Sequence, residues 1–190
     1  MPKNIKLLEE GICKNVVYSG NAVNFNVDGV RLPNGKEAVR EYIDHPGAVA
    51  VLPILEDGSI VFVRQFRYPI GEVTLELPAG KMHSKKDSPL KRAKCELAEE
   101  TGYSYGRISK LLTFWPCCAF SNETLHIFVA RDLRPGKAMP DEDEFLRVST
   151  MSLDAAMKLV KNGKIKDSKT IIALQAYALE KACAACKKRK

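Results

Sequence analysis

Glu96, Glu99 and Glu100 stand at i, i+3 and i+4 within the run Cys-Glu-Leu-Ala-Glu-Glu-Thr-Gly, residues 95–102. On a helix those positions share one face, with Cβ atoms about 5–6 Å apart. Carboxylates held that close repel one another unless a cation sits among them. Mg2+ (with Mn2+ as a substitute) suits such a place, because it takes hard oxygen ligands, typically a few carboxylates completed by substrate phosphates. A solvated acidic helix face is the plainer reading of the same charges. A cation held there would meet a phosphate-bearing substrate. Just upstream lies Leu-Glu-Leu-Pro-Ala-Gly, residues 75–80. It is β-like and ends where Ala-Gly lets a backbone approach a ligand closely.

These residues need a scaffold, and the sequence outlines one. Ser88 as N-cap and Pro89 as the first helical residue make a sound start for the acidic helix. The first forty-five residues read as β: residues 23–28 alternate apolar and polar, Asn34-Gly35 is a hairpin turn signal, and residues 38–43 supply a return strand. Residues 48–55 form a continuous apolar run, Glu56-Asp57-Gly58-Ser59 turns the chain, and residues 60–67 follow, which reads as a buried hairpin. Residues 108–115 and 124–130 are strand-like. Two helices close the chain at 152–161, stopped by Asn162-Gly163, and at 168–182. Strands with helices on both sides predict an α/β/α sandwich around a mixed sheet, preceded by a small antiparallel β segment. The expected organisation is an N-terminal segment at 1–45, a catalytic domain at 46–182 and a basic tail at 183–190.

The 190 residues suit one domain with a small appendage. No apolar run is long enough to span a membrane, and the opening residues lack the apolar core of a signal peptide. With six cysteines and no sign of secretion, reduced thiols and a cytoplasmic location are expected. Cys183 and Cys186 have CxxC spacing but no second ligand pair. Cys117 and Cys118 are expected to pack as small apolar residues, and Trp115, beside the site loop, to pack in the core, with stacking on a base as its alternative role. The net charge is +7, but the terminal Lys-Lys-Arg-Lys carries four of those charges. Neither a nucleic-acid partner nor a membrane is expected. The mild excess suits an anionic, phosphate-bearing small molecule.

The stretch from Gly80 to Tyr103 resembles the Nudix box: a glycine, an early glutamate, then arginine-glutamate-apolar-x-glutamate-glutamate-x-glycine-apolar. Gly80, Glu96, Leu97, Glu99, Glu100, Gly102 and Tyr103 fill those slots. VRQFRYP (63–69), LELPAG (75–80), FSNETLHIFVA (120–130), DEDEF (141–145) and DSKTIIALQAY (167–177) resemble the ADP-ribose pyrophosphatase branch. The resemblance implies Mg2+-dependent hydrolysis of ADP-ribose, or a related nucleoside diphosphate sugar, in a homodimer paired through the N-terminal segment. Glu96, Glu99 and Glu100 would hold metal together with the Ala79 carbonyl. Glu144, with Glu142 second, would be the general base or a further ligand, and Glu99 is also a candidate for the chemistry. Arg64 or Arg67 would contact phosphate or ribose. Glu76 would pair with an arginine or a sugar hydroxyl, and Glu123 would lie near the terminal ribose.

Three positions depart from that pattern. Cys95 occupies the place of the box arginine, which braces a metal-binding glutamate in the family, and a thiol is no forked cationic donor. One extra residue follows Gly80, so the early glutamate falls on Asp87, counted back from Glu96, or on Lys86, counted forward; Asp87 fits better. Cys118 and Ala119 replace a proline and a glycine expected before Phe-Ser-Asn-Glu, and alanine would be strained wherever the glycine needs positive φ. The rival readings are a hydrolase for another nucleotide sugar, such as GDP-mannose, and a non-catalytic Nudix ligand-binding module.

Overall fold

The computed structural model describes residues 7–140, 142 and 144–187. Asp141 and Asp143 of the DEDEF segment, the first six residues and the last three of the tail lie outside them. The chain divides into two compact units, residues 1–47 with 115–124, and residues 48–114 with 125–190.

In the first unit, β3 (Asn24–Arg31) is the organising strand. On one edge it pairs antiparallel with β4 (Glu37–Asp44), Asn24 opposite Asp44 and Arg31 opposite Glu37. The Asn34-Gly35 turn joins them, Gly35 adopting the left-handed φ of 83° that the turn requires. The other edge of β3 is shared by β1 (Glu10–Cys13) and β2 (Val16–Ser19). The loop 115–124 closes on this unit through hydrogen bonds from the Ile43 N–H to the Phe120 carbonyl and from the Asn122 N–H to the Ile43 carbonyl. Trp115 does not pack in a core; it is 68% exposed. Cys118 is exposed as well. Ala119 does not adopt positive φ, so the strain expected of it is absent.

The second unit is built on β5 (Ala48–Pro53), paired parallel with β10 (Leu125–Arg131) and antiparallel with β8 (Ala79–Lys81). β9 (Arg107–Phe114) completes a mixed sheet in the order β8-β5-β10-β9. A second, antiparallel sheet runs β11 (Arg147–Met151), β6 (Ile60–Arg67), β7 (Glu72–Glu76). The expected hairpin between residues 48–55 and 60–67 is therefore wrong. Both edges of β5 are taken by β10 and β8, so beyond the single bridge Ile54–Ile60 the chain after the turn enters the other sheet.

Alternation along the strands divides the core in two, because successive side chains point to opposite faces. Val49, Val51, Phe128 and Ala130 meet Ala93 and Leu97 of α1 (Pro89–Thr101). Ala50, Leu52, Ile127 and Val129 meet Phe62 and Leu77 and, from α3 (Ser168–Lys187), Leu174 and Tyr177. Ala156 of α2 (Leu153–Lys161) joins the same cluster. Strands buried on both faces explain the unbroken apolar run at 48–55. Helix α3 runs five residues past its predicted end at 182, so exposed Cys183 and Cys186 lie inside it.

Candidate active site

Helix α1 starts as the sequence predicts: the Lys91 N–H donates to Ser88 Oγ, and Pro89 occupies the first turn. It stops at Gly102, whose φ of 75° is left-handed and whose N–H donates to the Ala98 carbonyl. The buried stripe between these caps is Ala93, Glu96, Leu97, Glu100 and Thr101. That spacing of i, i+3, i+4, i+7 and i+8 is the core-facing side of an amphipathic helix. Two of its five residues are glutamates, each 3% exposed. A solvated acidic face is thereby excluded for Glu96 and Glu100. Glu99 lies off the stripe, its side chain 41% exposed.

Strand β8 lies over this stripe. The Ala79 N–H donates to Glu100 Oε2 at 3.1 Å. Gly80 lies so near Glu96 that a Cβ at this position would fall 1.6 Å from Glu96 Oε1. Glycine is needed here for close approach. Arg92 Nη2 stands 2.5 Å from Glu96 Oε1, and Nη1 stands 3.4 Å from Glu99 Oε2. The first pair is close but misaligned: that buried Glu96 oxygen has no hydrogen-bond donor among the described residues.

Burial pushes Glu96 up to about 7, with Arg92 pulling it down and Glu99 and Glu144 adding repulsion. Burial, then Glu96, pushes Glu100 up to about 8, against the Ala79 N–H; Glu144 repels it too. Glu144 thus lies within electrostatic reach of both buried glutamates. Glu142 sits in a turn and is exposed. Among the described residues no three acidic, histidine or cysteine side chains already converge as a cage. The carboxylates are turned onto Arg92 and the Ala79 N–H. Even so, the donor set fits a hard divalent cation: buried oxygens, one of them without a donor, beside an open backbone at Ala79-Gly80.

A second group of charges borders a cavity of about 550 Å3 lined by Arg67, Ile70, Thr74, Glu76, Lys166 and Lys169, among others. Glu76 is 2% exposed. Arg67 grips it with two hydrogen bonds, Nε–Oε1 at 2.9 Å and Nη2–Oε2 at 2.7 Å. Lys169 and Thr74 also donate to it. Burial alone would raise Glu76; the Arg67 fork and Lys169 outweigh it and bring the carboxyl down to about 2. Glu100 acts on Arg67, and Lys169 on Glu100, so these cations belong to the same electrostatic neighbourhood as the helix glutamates. Of the two alternatives for Glu76, its partner here is the arginine.

Arg64 is exposed on the opposite face of β6 and pairs in register with Arg147. Glu123 belongs to the first unit, where His45 Nδ1 lies 3.7 Å from its Oε1. Asp87 accepts from the Ser84 N–H and hydroxyl and closes a local turn. Lys86 donates its N–H to Ser84 Oγ in the same turn. Sequence reasoning passed over Arg92, Thr74, Asp167, Lys169 and Thr170. Asp167 and Thr170 carried a signal: Asp-x-x-Thr at a helix start is an N-cap pattern. In the structure the Thr170 N–H donates to Asp167 Oδ2, and Thr170 Oγ1 accepts from the Leu77 N–H.

The NUDIX domain model matches residues 44–174. The chain is 40% identical to an ADP-ribose pyrophosphatase of Bacillus subtilis (strain 168) over 183 residues, 95% of this chain and 98% of that protein. It is 41% identical to a methanol dehydrogenase activator of Bacillus methanolicus, over 93% of this chain and 97% of that one. A GDP-mannose pyrophosphatase of Pectobacterium atrosepticum is 33% identical over 72% of this chain and 75% of its own. Among solved structures, the crystal structure of an ADP compounds hydrolase superposes with a TM-score of 0.78 over 90% of this chain and 94% of its own, at 21% identity. That structure shares the fold. With a domain match over more than half its length, the chain belongs to the NUDIX family.

Proposed function

We propose that this protein hydrolyses the diphosphate linkage of ADP-ribose, or of a closely related nucleoside diphosphate sugar, with Mg2+ or Mn2+. ADP-ribose would give AMP and ribose 5-phosphate. The observation that carries this reading is the pair of buried glutamates on the core-facing stripe of α1, pressed against Ala79-Gly80. Burying two carboxylates on one helix is costly unless something cationic repays it. Similarity to the ADP-ribose and GDP-mannose pyrophosphatases supports the substrate class.

Glu96, Glu99, Glu100 and the Ala79 carbonyl would hold the divalent cation, which when bound neutralises phosphate oxygens and makes water easier to deprotonate. The remaining work falls to side chains. Arg67 is clamped by Glu76, so its guanidinium is oriented in advance for a diphosphate oxygen. Lys169 adds positive charge at the same cavity. Glu144 would take the proton from the attacking water, or ligate a further cation, as the P–O–P bridge breaks. Glu142, exposed beside it, is the second candidate.

The first unit is read as the pairing surface of a homodimer. Ile12, Val16, Val17 and Tyr18 on β1 and β2 are 46–62% exposed, apolar surface that a second copy would cover. Cytoplasmic residence suits six free thiols. The experiment that tests the catalytic reading is Glu100→Gln: Mg2+-dependent turnover of ADP-ribose should fall by about 10^3-fold or more while the fold is kept. A near wild-type rate would remove Glu100 from the centre.

A further inference from the structure

We infer that Arg92 is the positioning residue of this site: a single guanidinium, one helical turn upstream of the metal-side glutamates, that holds Glu96 and Glu99 in place of the arginine missing at position 95. This inference rests on the reading of those glutamates given above.

The argument is geometric. Positions 92, 96 and 99 stand at i, i+4 and i+7, so they fall on one stripe of α1. Arg92 is well placed to span both acids, and it does: Nη2 reaches Glu96 and Nη1 reaches Glu99. Its side chain is only 21% exposed, so the guanidinium is partly shielded and its pull is less screened than a surface pair. Among the described residues its ion pairs are with these two glutamates, and its buried Nε–H has no acceptor there. The guanidinium is therefore not tied into a wider structural network. Cys95 lies on the exposed side of the helix and cannot offer two parallel donors. Two carboxylates one turn apart, one deeply buried, each have several rotamers. The two Nη groups reach one carboxylate each, a hydrogen bond to Glu99 Oε2 and an ion pair to Glu96 Oε1, a division that a single ammonium would make less well. Arg92 touches no reacting atom in this account; it acts through the glutamates.

The test is a four-protein cycle: wild type, Arg92→Gln, Cys95→Arg and the double variant. Each is measured for Mn2+ affinity by calorimetry without substrate, and for kcat and KM on ADP-ribose. Removal of a partner that orients metal ligands typically costs 10–100-fold in metal affinity or activity. Arg92→Gln should therefore weaken Mn2+ binding and lower kcat by about 10–100-fold, with little change in KM. Cys95→Arg alone should change little, yet in the Arg92→Gln background it should restore most of both losses. Non-additivity of that kind is the signature of one role filled from either of two positions. Arg92→Gln within about twofold of wild type in both readouts would overturn the inference, as would a double variant no better than Arg92→Gln. If Arg92→Gln does not fold, Arg92→Lys decides: it keeps the charge and loses the fork, and should show the kinetic loss. A wild-type rate in Arg92→Lys would refute the fork. Failure of the wild type itself to bind Mn2+ or turn over substrate would instead remove the catalytic reading on which the inference stands, and the inference with it.

Discussion

Replacing Glu76 with Gln tests whether the charge network at the cavity is built as described. Glu76 is 2% exposed and is held by Arg67, Lys169 and Thr74. Its carboxyl titrates near 2 in the fold against 4.5 in the unfolded chain. At about 1.4 kcal/mol per pH unit, that difference stabilises the folded protein by about 3 kcal/mol at neutral pH. Because the folded value is the lower one, the contribution is complete above pH 4.5 and fades as pH falls towards 2. At pH 3 roughly half of it should remain. Gln keeps the shape but leaves Arg67 and Lys169 without their buried counter-charge, although Lys169 keeps Asp167 at 2.9 Å. The variant should therefore lose about 3 kcal/mol near neutrality, a fall in Tm of roughly 6–12 °C for a chain of this size. Urea unfolding of both proteins at pH 7 and pH 3 reads the difference directly. A gap that narrows by about half at pH 3 supports the ion network. A gap that stays constant would mean that shape and burial, not charge, are what Glu76 contributes.

Three further outcomes follow from the same geometry. Gly80→Ala would place a Cβ 1.6 Å from Glu96 Oε1, so Glu96 must move; kcat/KM should fall by about 10^2-fold with the circular dichroism spectrum unchanged. Gly102→Ala meets a φ of 75° and the Ala138 backbone nitrogen at 2.6 Å, and should cost roughly 2 kcal/mol or more in urea unfolding. In the metal-free protein, Glu96 and Glu100 titrate near 7 and 8 in the fold against 4.5 unfolded. Raised folded values favour the protonated fold, so their contribution is complete below pH 4.5 and lost as pH rises through 7 and 8. The urea midpoint should fall between about pH 4.5 and about pH 8, less steeply in Glu100→Gln and less steeply with Mg2+ present.

Much of this was legible in the residues because local rules and the global fold agree. Ser88-Pro89 and Gly102 marked the ends of the acidic helix, and Asn34-Gly35 marked its hairpin; caps and turns are fixed by backbone chemistry within a few residues. The spacing of Glu96, Glu99 and Glu100 announced a shared face, though only the structure showed that two of them lie on the buried stripe. Strand pairing was harder. The apolar run at 48–55 reads the same whether it pairs with the next strand or with one 77 residues on, so the hairpin expectation failed. The run's burial on both faces comes from α1 on one side and α3 on the other. Trp115 was misplaced because hydrophobicity alone does not say which loop side chains find a core. Arg92 and Lys169 were missed for a related reason: a lone cation on a helix is unremarkable until its partners are known. Their partners are Glu96 and Glu99 for Arg92, and a glutamate more than ninety residues earlier in the chain for Lys169.

The most direct test of the central claim is hydrolysis of ADP-ribose beside GDP-mannose, UDP-glucose and NADH, with and without Mg2+, products resolved by chromatography. The account predicts Mg2+-dependent release of AMP and ribose 5-phosphate from ADP-ribose above the other substrates. A folded protein that turns over none of them with metal present would contradict it.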